Sequence, residues 1–236
     1  MTISNNISVE QEFKSGEYID NILPNKMSSA KRIISDALKQ FGDKLAVACS
    51  FGKDSMVVLH LALQVNPRIK IFAIMTPFKP KETFDYKDEM IAKYRLNIKE
   101  YMSSEIVDPL LPKTNPDECC RILKIEPTKV AVQNLDAWIC GLRNTEGRTR
   151  KDYKIFEEKN GLTKINPILN WTELDIWRYM AINEIPVHPF YARGYRSLGC
   201  EPCTSLVNDT GLEREGRWIG TSKCGGECGI HTKPLK

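Results

Sequence analysis

Near one end the chain reads CGGECGIHT (residues 224–232): two thiols, a carboxylate and an imidazole among three glycines. No apolar periodicity runs through it, so it is expected to be a mobile tail and not core. A thiol kept on such a tail needs a chemical reason, because the thiolate is a nucleophile and a metal ligand. Four further cysteines fall in two pairs, Cys119-Cys120 and Cys200-x-x-Cys203. Four thiolates suit a tetrahedral zinc or an iron–sulfur cluster. Adjacent side chains diverge, which is awkward for one zinc ion and easier for two corners of a 4Fe–4S cube. The cluster is therefore preferred, with zinc as the alternative. The plainest competing account is that one pair is simply buried free thiol.

A second motif is CSFGKDS (residues 49–55). It joins an apolar run to a helical pattern, where α/β folds bind phosphates on outward-pointing helix amides. Gly52 lets backbone approach an anion, Ser50 and Ser55 offer hydroxyls, and Lys53 a charge. The Walker pattern G-x-x-x-x-G-K-[ST] is absent. The stretch instead resembles the PP-loop, S-x-G-x-D-S, of enzymes that handle the α-phosphate of adenylates. That likeness makes Ser50, Phe51, Gly52, Lys53, Asp54 and Ser55 candidate substrate contacts, with Phe51 where many relatives carry Gly. An ordinary strand–helix turn is the alternative.

Several elements must position these residues. The pattern SSAKRIISDALKQFG predicts a helix capped by Ser28 or Ser29 and ended by Gly42. Apolar runs at 44–49 and 68–75 read as buried strands, and NIKEYM and DAWICGL as a third and a fourth strand. MVVLHLALQV, ETFDYKDEMIAKY, EPTKVAVQNL and WTELDIWRYMAIN read as helices, the last capped by Thr172. Strands alternating with helices predict an α/β fold, a parallel sheet flanked by helices. Residues 1–27 carry no pattern and are expected to be an N-terminal extension. Residues 28–211 form the α/β domain and 212–236 a C-terminal tail.

Composition excludes several classes. The chain has 236 residues, 42% hydrophobic and 27% charged, with a net charge of +4. That charge suits anionic ligands but not a nucleic-acid coat. No apolar run is long enough for a membrane helix, and no basic-then-apolar leader opens the chain. A reducing cytoplasm is the expected compartment for eight cysteines without a disulfide framework.

Together the motifs resemble a family, the sulfonucleotide reductases, and within them the assimilatory adenylyl-sulfate (APS) reductases with an iron–sulfur cluster. The match runs from about residue 30 to 232. It rests on SFGKDS, CCRILKIEP, GYRSLGCEPCT, EREGRW and ECGIH in that order. The resemblance implies an adenine-nucleotide alpha-hydrolase-like (PP-loop) fold and a two-step reaction. Cys228 attacks the sulfur of the sulfonucleotide, AMP leaves, and thioredoxin or a glutaredoxin-like dithiol releases sulfite from the S-sulfocysteine. It implies a 4Fe–4S cluster on Cys119, Cys120, Cys200 and Cys203 that tunes local charge, and a homo-oligomer. Lys124 and His231 join Cys228 as catalytic candidates. Arg143, Arg150, Arg214 and Arg217 become ligands of sulfate and phosphate oxygens, while Arg148 is expected to be solvated.

The likeness has departures. Cys140 replaces a Thr, Asn144 an Arg, Glu146 and Gly147 a Gln-Ser pair, Leu123 an Arg, and Met75 an Asp. They are expected to cluster around the nucleotide. Lys79 and Lys81 would suit a 3′-phosphate, which would favour phosphoadenylyl sulfate (PAPS); exposed surface lysines are the plainer account. APS ranks first and PAPS second. Cys224 reads either as a bystander or as a thiol that resolves the sulfo adduct. His60 is expected to be a satisfied core histidine, and His188 to lie in a loop near the site. A competing function is an adenylating PP-loop enzyme, such as a sulfate adenylyltransferase subunit or a tRNA thiolase. A redox sensor would explain the cysteines but not the PP-loop.

Overall fold

The computed structural model describes residues 9–208, 210–224 and 226–236, with side chains from residue 22 onward. The short apolar runs pair as strands because they can bury both faces. β1 (Leu45–Ala48) lies between β2 (Lys70–Ile74) and β4 (Ala137–Ile139), with Val47 level with Ile71 and Ile139. β3 (Ile98–Tyr101) extends one edge, and β5 (Phe156–Lys159) and β6 (Leu162–Ile165) the other, in the order β3-β2-β1-β4-β6-β5.

All neighbours run parallel except β5 and β6. The expected all-parallel sheet therefore gains an antiparallel edge. Its turn is Asn160-Gly161, with φ of 53° and 72°. Both residues are left-handed, the geometry that matches strand twist in a two-residue hairpin. That dipeptide is a local hairpin signal, although no apolar run flanks it.

Alternate strand residues face opposite layers. Leu45 and Val47 pack with α1 (Val9–Phe41), α2 (Lys53–Val65), α3 (Lys81–Tyr94) and α7 (Glu173–Ile182). Ala46, Phe72 and Trp138 face α6 (Glu126–Val132) and the C-terminal segment. Thr172 caps α7 in a capping box with Asp175, as expected. Gly42, at φ 51°, closes α1, also as expected.

Two expectations about the ends are corrected. α1 does not start at Ser28 or Ser29; it begins at Val9 and carries Pro24 inside. Leu23 is buried in the core and Lys26 bonds Asp175 at 2.5 Å, so tertiary contacts extend the helix past its patternless stretch. The expected patternless extension is thus helical from residue 9; residues 1–8 lie outside the described residues. The tail is docked, not loose. α9 (Gly229–Thr232) lies against the helix that follows Cys120, and Leu235 is buried beside Ala131 and Leu135. Lys159 Nζ donates to Thr232 O at 2.7 Å and Asn160 Nδ2 to Lys236 O at 3.1 Å. Among the described residues no helix is long and apolar enough to cross a membrane.

The strand order reverses at β1, which sends α2 and the chain after β4 to the same end of the sheet. Gly141, just beyond β4, lies so close to α2 that an added Cβ would sit 2.7 Å from Asp54 C and 2.8 Å from Ser55 N. Backbone cannot yield there without moving the phosphate-binding turn. Gly141→Ala is expected to destabilise the fold by about 1–3 kcal/mol through overpacking. Thermal unfolding would show a lowered Tm.

Candidate active site

The loop after β1 is held by its own side chains. Ser55 Oγ accepts from Ser50 N at 3.2 Å and donates to Gly52 O at 2.9 Å. Phe51 adopts φ 65°, a left-handed conformation that suits Gly, and its ring is buried. Phe51 therefore shapes the turn from the core side, and its side chain is not a substrate contact. Tyr191 Oη accepts from Lys53 N at 2.8 Å, an interaction across the loop that no sequence spacing announced.

Lys53 and Arg143, expected as anion ligands, do not reach the cavity. Lys53 Nζ donates to Glu213 Oε2 at 2.6 Å and Arg196 O at 2.8 Å. Arg143 is fully buried and donates to Asp54 at 2.6 Å and to Glu213 at 2.6 and 2.8 Å. Two cations and two carboxylates thus neutralise one another beneath the turn. Burial would raise the Asp54 pKa, but the Lys53 and Arg143 charges prevail and hold it at about 2.

Above this layer, at the carboxyl ends of β1, β2 and β4, lies a cavity of ≈ 200 Å³. Ser50, Gly52, Asp54 and Ser55 line one wall; Lys124, Arg150, Arg214, Arg217, Cys228 and His231 line another. Arg150 is not open to an anion. Its Nε donates to Glu227 Oε2 at 2.6 Å, its NH2 to Glu227 Oε1 at 3.2 Å, and its NH1 to Glu146. Arg214 NH2 donates to Glu227 Oε1 at 2.8 Å. Burial lowers the Arg214 pKa to about 10, helped by Arg150 and opposed by Glu227.

Arg217 differs. It is buried over the Trp218 ring, 4.8 Å from its centroid, and its Nε and NH1 have no hydrogen-bond partner. A buried guanidinium with unpaired donors is costly unless a ligand supplies acceptors. Gly199 makes room for it, since a Cβ there would lie 2.0 Å from NH1. His231 stacks on Trp138 at 6.0 Å and 10°, with Nδ1 buried and unpartnered. Burial pushes its pKa down to about 3, with Arg150 and Lys164 adding to the effect against Glu227. It is a neutral imidazole at working pH, a hydrogen-bonding group and not a cation.

The helix formed by α5 (Pro116–Cys120) and α6 is interrupted by a π-helical segment, Arg121–Ile125. Such bulges re-aim side chains. Lys124 comes from this segment; burial opposes its charge, but Cys200, Cys228 and Cys120 hold its pKa above the ordinary value. Cys228 is half-buried, and its thiol is held below its ordinary pKa first by the Cys120 hydrogen bond and then, against burial, by Lys124 and the Ile230 N–H. Cys119, Cys120, Cys200 and Cys203 are all buried, and Thr76 Oγ1 lies 3.2 Å from Cys200 Sγ. Trp218 packs against Cys200, Cys203 and Cys228. Among the described residues no three Cys, His, Asp or Glu side chains converge tightly enough for a single ion. The four buried thiols are a donor set of the chemistry that zinc and iron–sulfur centres take.

Several residues stand elsewhere than expected. Lys79 lines the cavity, with Nζ donating to Ser50 O at 3.2 Å, whereas Lys81 is solvated and paired with Asp85. Burial lowers the Lys79 pKa to about 8, partly offset by Cys200. Leu123 and Met75 are buried core residues that do not line the cavity, and Glu146 serves as a partner of Arg150. Arg148 is exposed and Cys140 buried, as expected. His60 meets Tyr179 Oη at 2.9 Å, and His188 is buried against Thr83 at 3.0 Å. Glu213 and Glu227 were missed as structural anions; only proximity in the fold reveals their partners.

A mostly parallel sheet with helices on both faces and a glycine-containing strand–helix turn at its strand-order reversal is an α/β architecture of the nucleotide-binding kind. Comparison sharpens this. Residues 44–206 match the family model described as the phosphoadenosine phosphosulfate reductase domain. The chain is 36% identical over 221 residues to an adenosine 5′-phosphosulfate reductase of Bacillus cereus, covering 88% of this chain and 92% of that one. It is 34% identical over 216 residues to a phosphoadenosine 5′-phosphosulfate reductase of Gloeobacter violaceus, covering 84% and 87%. The crystal structure of a phosphoadenylyl-sulfate reductase from Candida auris superposes with a TM-score of 0.66 at 21% identity, covering 88% and 99%. The chain belongs to the sulfonucleotide reductase family.

The Arg150 ion pairs give a stability prediction. Arg150→Met would leave Glu146 buried without its cation and Glu227 with Arg214 alone. Urea unfolding should show a loss of about 3–5 kcal/mol. Arg148→Met, on the exposed side of the same turn, should change stability by no more than about 0.5 kcal/mol.

Proposed function

We propose that the chain is an assimilatory APS reductase that uses Cys228 as nucleophile and a protein dithiol as reductant. The observation that carries this is one cavity with the Ser50–Ser55 turn on one wall and the Cys228 thiol, flanked by Lys124 and Arg217, on another. The turn would hold the adenylate phosphate. Arg217 and Lys124 would meet the sulfate oxygens, where charge-assisted hydrogen bonds are strongest.

The chemistry then follows in two displacements. Cys228 Sγ bonds to the sulfate sulfur as the bond from that sulfur to the phosphate-bridging oxygen breaks, and AMP departs. A thiolate of thioredoxin or a glutaredoxin-like protein then attacks Cys228 Sγ, and sulfite leaves with the electron pair. Neutral His231 can hydrogen-bond a bound oxygen without adding charge. Cys119, Cys120, Cys200 and Cys203 would hold a 4Fe–4S cluster, which would supply local charge next to Lys124 and fix the two cysteine segments together. A thiol inside the nucleotide cavity has no place in an adenylyl transfer, so that alternative falls behind. Lys79 at the cavity favours PAPS as the second reading, since it offers a cation for an added phosphate.

Two measurements test the proposal. Mixed with APS and no reductant, the anaerobic protein should release one equivalent of AMP per chain, and Cys228→Ser none; a larger burst with PAPS, releasing adenosine 3′,5′-bisphosphate, would reverse the substrate ranking. Absence of any nucleotide burst from cluster-replete protein would overturn the mechanism. In steady state, Lys79 is charged below and neutral above its lowered pKa of about 8. With PAPS as substrate, kcat/KM should therefore fall as pH rises through about 8, and Lys79→Arg should move that limb upward.

A further inference from the structure

We propose that Cys224 is a resolving thiol for the adduct on Cys228, an inference that rests on the nucleophilic role given to Cys228 above. The two cysteines border two different spaces. Cys228 lines the inner cavity with Lys124 and Arg217, and Cys224 does not. Cys224 is exposed and lines an outer groove with Asp117 and Lys233, and Cys228 does not. Glu227 borders both.

The segment is pinned just before each of the two cysteines. Lys223 Nζ bonds Asp117 at 2.5 Å, and Glu227 is held by Arg150 and Arg214. Between the pins the chain turns back, with Gly226 N donating to Lys223 O at 2.8 Å. A Cβ on Gly226 would stand 2.9 Å from Lys223 O, so the turn is tighter than a side chain permits. Three residues separate the thiols, a span of at most about 14 Å when extended. A disulfide needs Cα atoms about 4.4–6.8 Å apart. A turned, glycine-containing segment can contract to that separation once Cys228 swings off Cys120.

The step balances without a further reagent. The Cys224 thiolate attacks Cys228 Sγ, the Sγ–sulfite bond breaks, and sulfite leaves with its electrons as the Cys224–Cys228 disulfide forms. The disulfide then exchanges with the protein dithiol of the cycle proposed above, which meets Cys224 at the surface instead of entering a half-buried cavity. Oxidising equivalents thus pass from the inner space to the outer one.

Single-turnover analysis of the full, cluster-bearing chain with APS and no reductant tests this. Wild type should release sulfite along with AMP and lose two hydrogens, with peptide mapping placing the new disulfide between Cys224 and Cys228. Cys224→Ser, an exposed and conservative change, should release AMP equally but retain the sulfo group as added mass on Cys228. Its sulfite release should fall by about tenfold or more, and return when a protein dithiol is added. Wild type that releases AMP yet keeps the sulfo group overturns the inference and leaves the nucleophile intact. A disulfide mapped to Cys120 overturns it as well. No AMP from either protein removes the role of Cys228, and this inference with it.

Discussion

The Glu227 carboxylate is the constraint on which the site turns. It accepts from Arg150 and Arg214 and from the backbone N–H of Cys228 at 2.8 Å. Its pKa is held far below the usual carboxylate range; burial opposes this, but the two guanidinium charges prevail. Buried charges are tolerable only when their partners are complete, and then they tie segments to one arrangement. Here they tie the C-terminal segment to the loop after β4. Because the acid is adjacent in sequence to Cys228, anchoring one aims the other.

The same logic separates the cations into two groups. Lys53 and Arg143 are neutralised by Asp54 and Glu213, and Arg150 by Glu146 and Glu227. These hold architecture: the phosphate-binding turn, the chain after β4 and the tail. Arg217, Lys124 and Lys79 face the cavity with fewer acceptors, and Arg217 keeps unpaired donors. Unsatisfied donors in a buried space are where a multiply charged anion gains most. Binding and framework therefore use the same residue types, distinguished only by whether a carboxylate lies within reach.

The main fold was legible because burial on both faces leaves continuous apolar runs, as in LAVA and KIFAI, and helices leave a 3.6-residue stripe. The capping box at Thr172 and the stop at Gly42 were readable for local reasons. The α1 start was not, since its first turns lack a pattern and the packing of Leu23 and Lys26 is tertiary. The β5–β6 hairpin carried a local signal in Asn160-Gly161, but β5 is polar and mostly solvated, and β6, though buried, interleaves Thr163 and Lys164 with its apolar residues, so no apolar run revealed them.

By itself the sequence determined which chemistries were available: a PP-loop after a buried strand, four paired thiols, a cysteine beside a glutamate and a histidine, and a set of basic residues. Residue type and short-range order carry those, and they sufficed for the α/β class and the family. The tertiary structure alone decided which charge meets which. It buried Lys53 and Arg143 among carboxylates away from the cavity, brought Lys79 to the cavity lining, docked the tail that glycine content had suggested was loose, and placed Cys224 and Cys228 at two different spaces. Electrostatic partners act over a few ångströms of space, and residues 89 or 160 positions apart in the chain become neighbours only when the sheet brings the ends of β1 and β4 together.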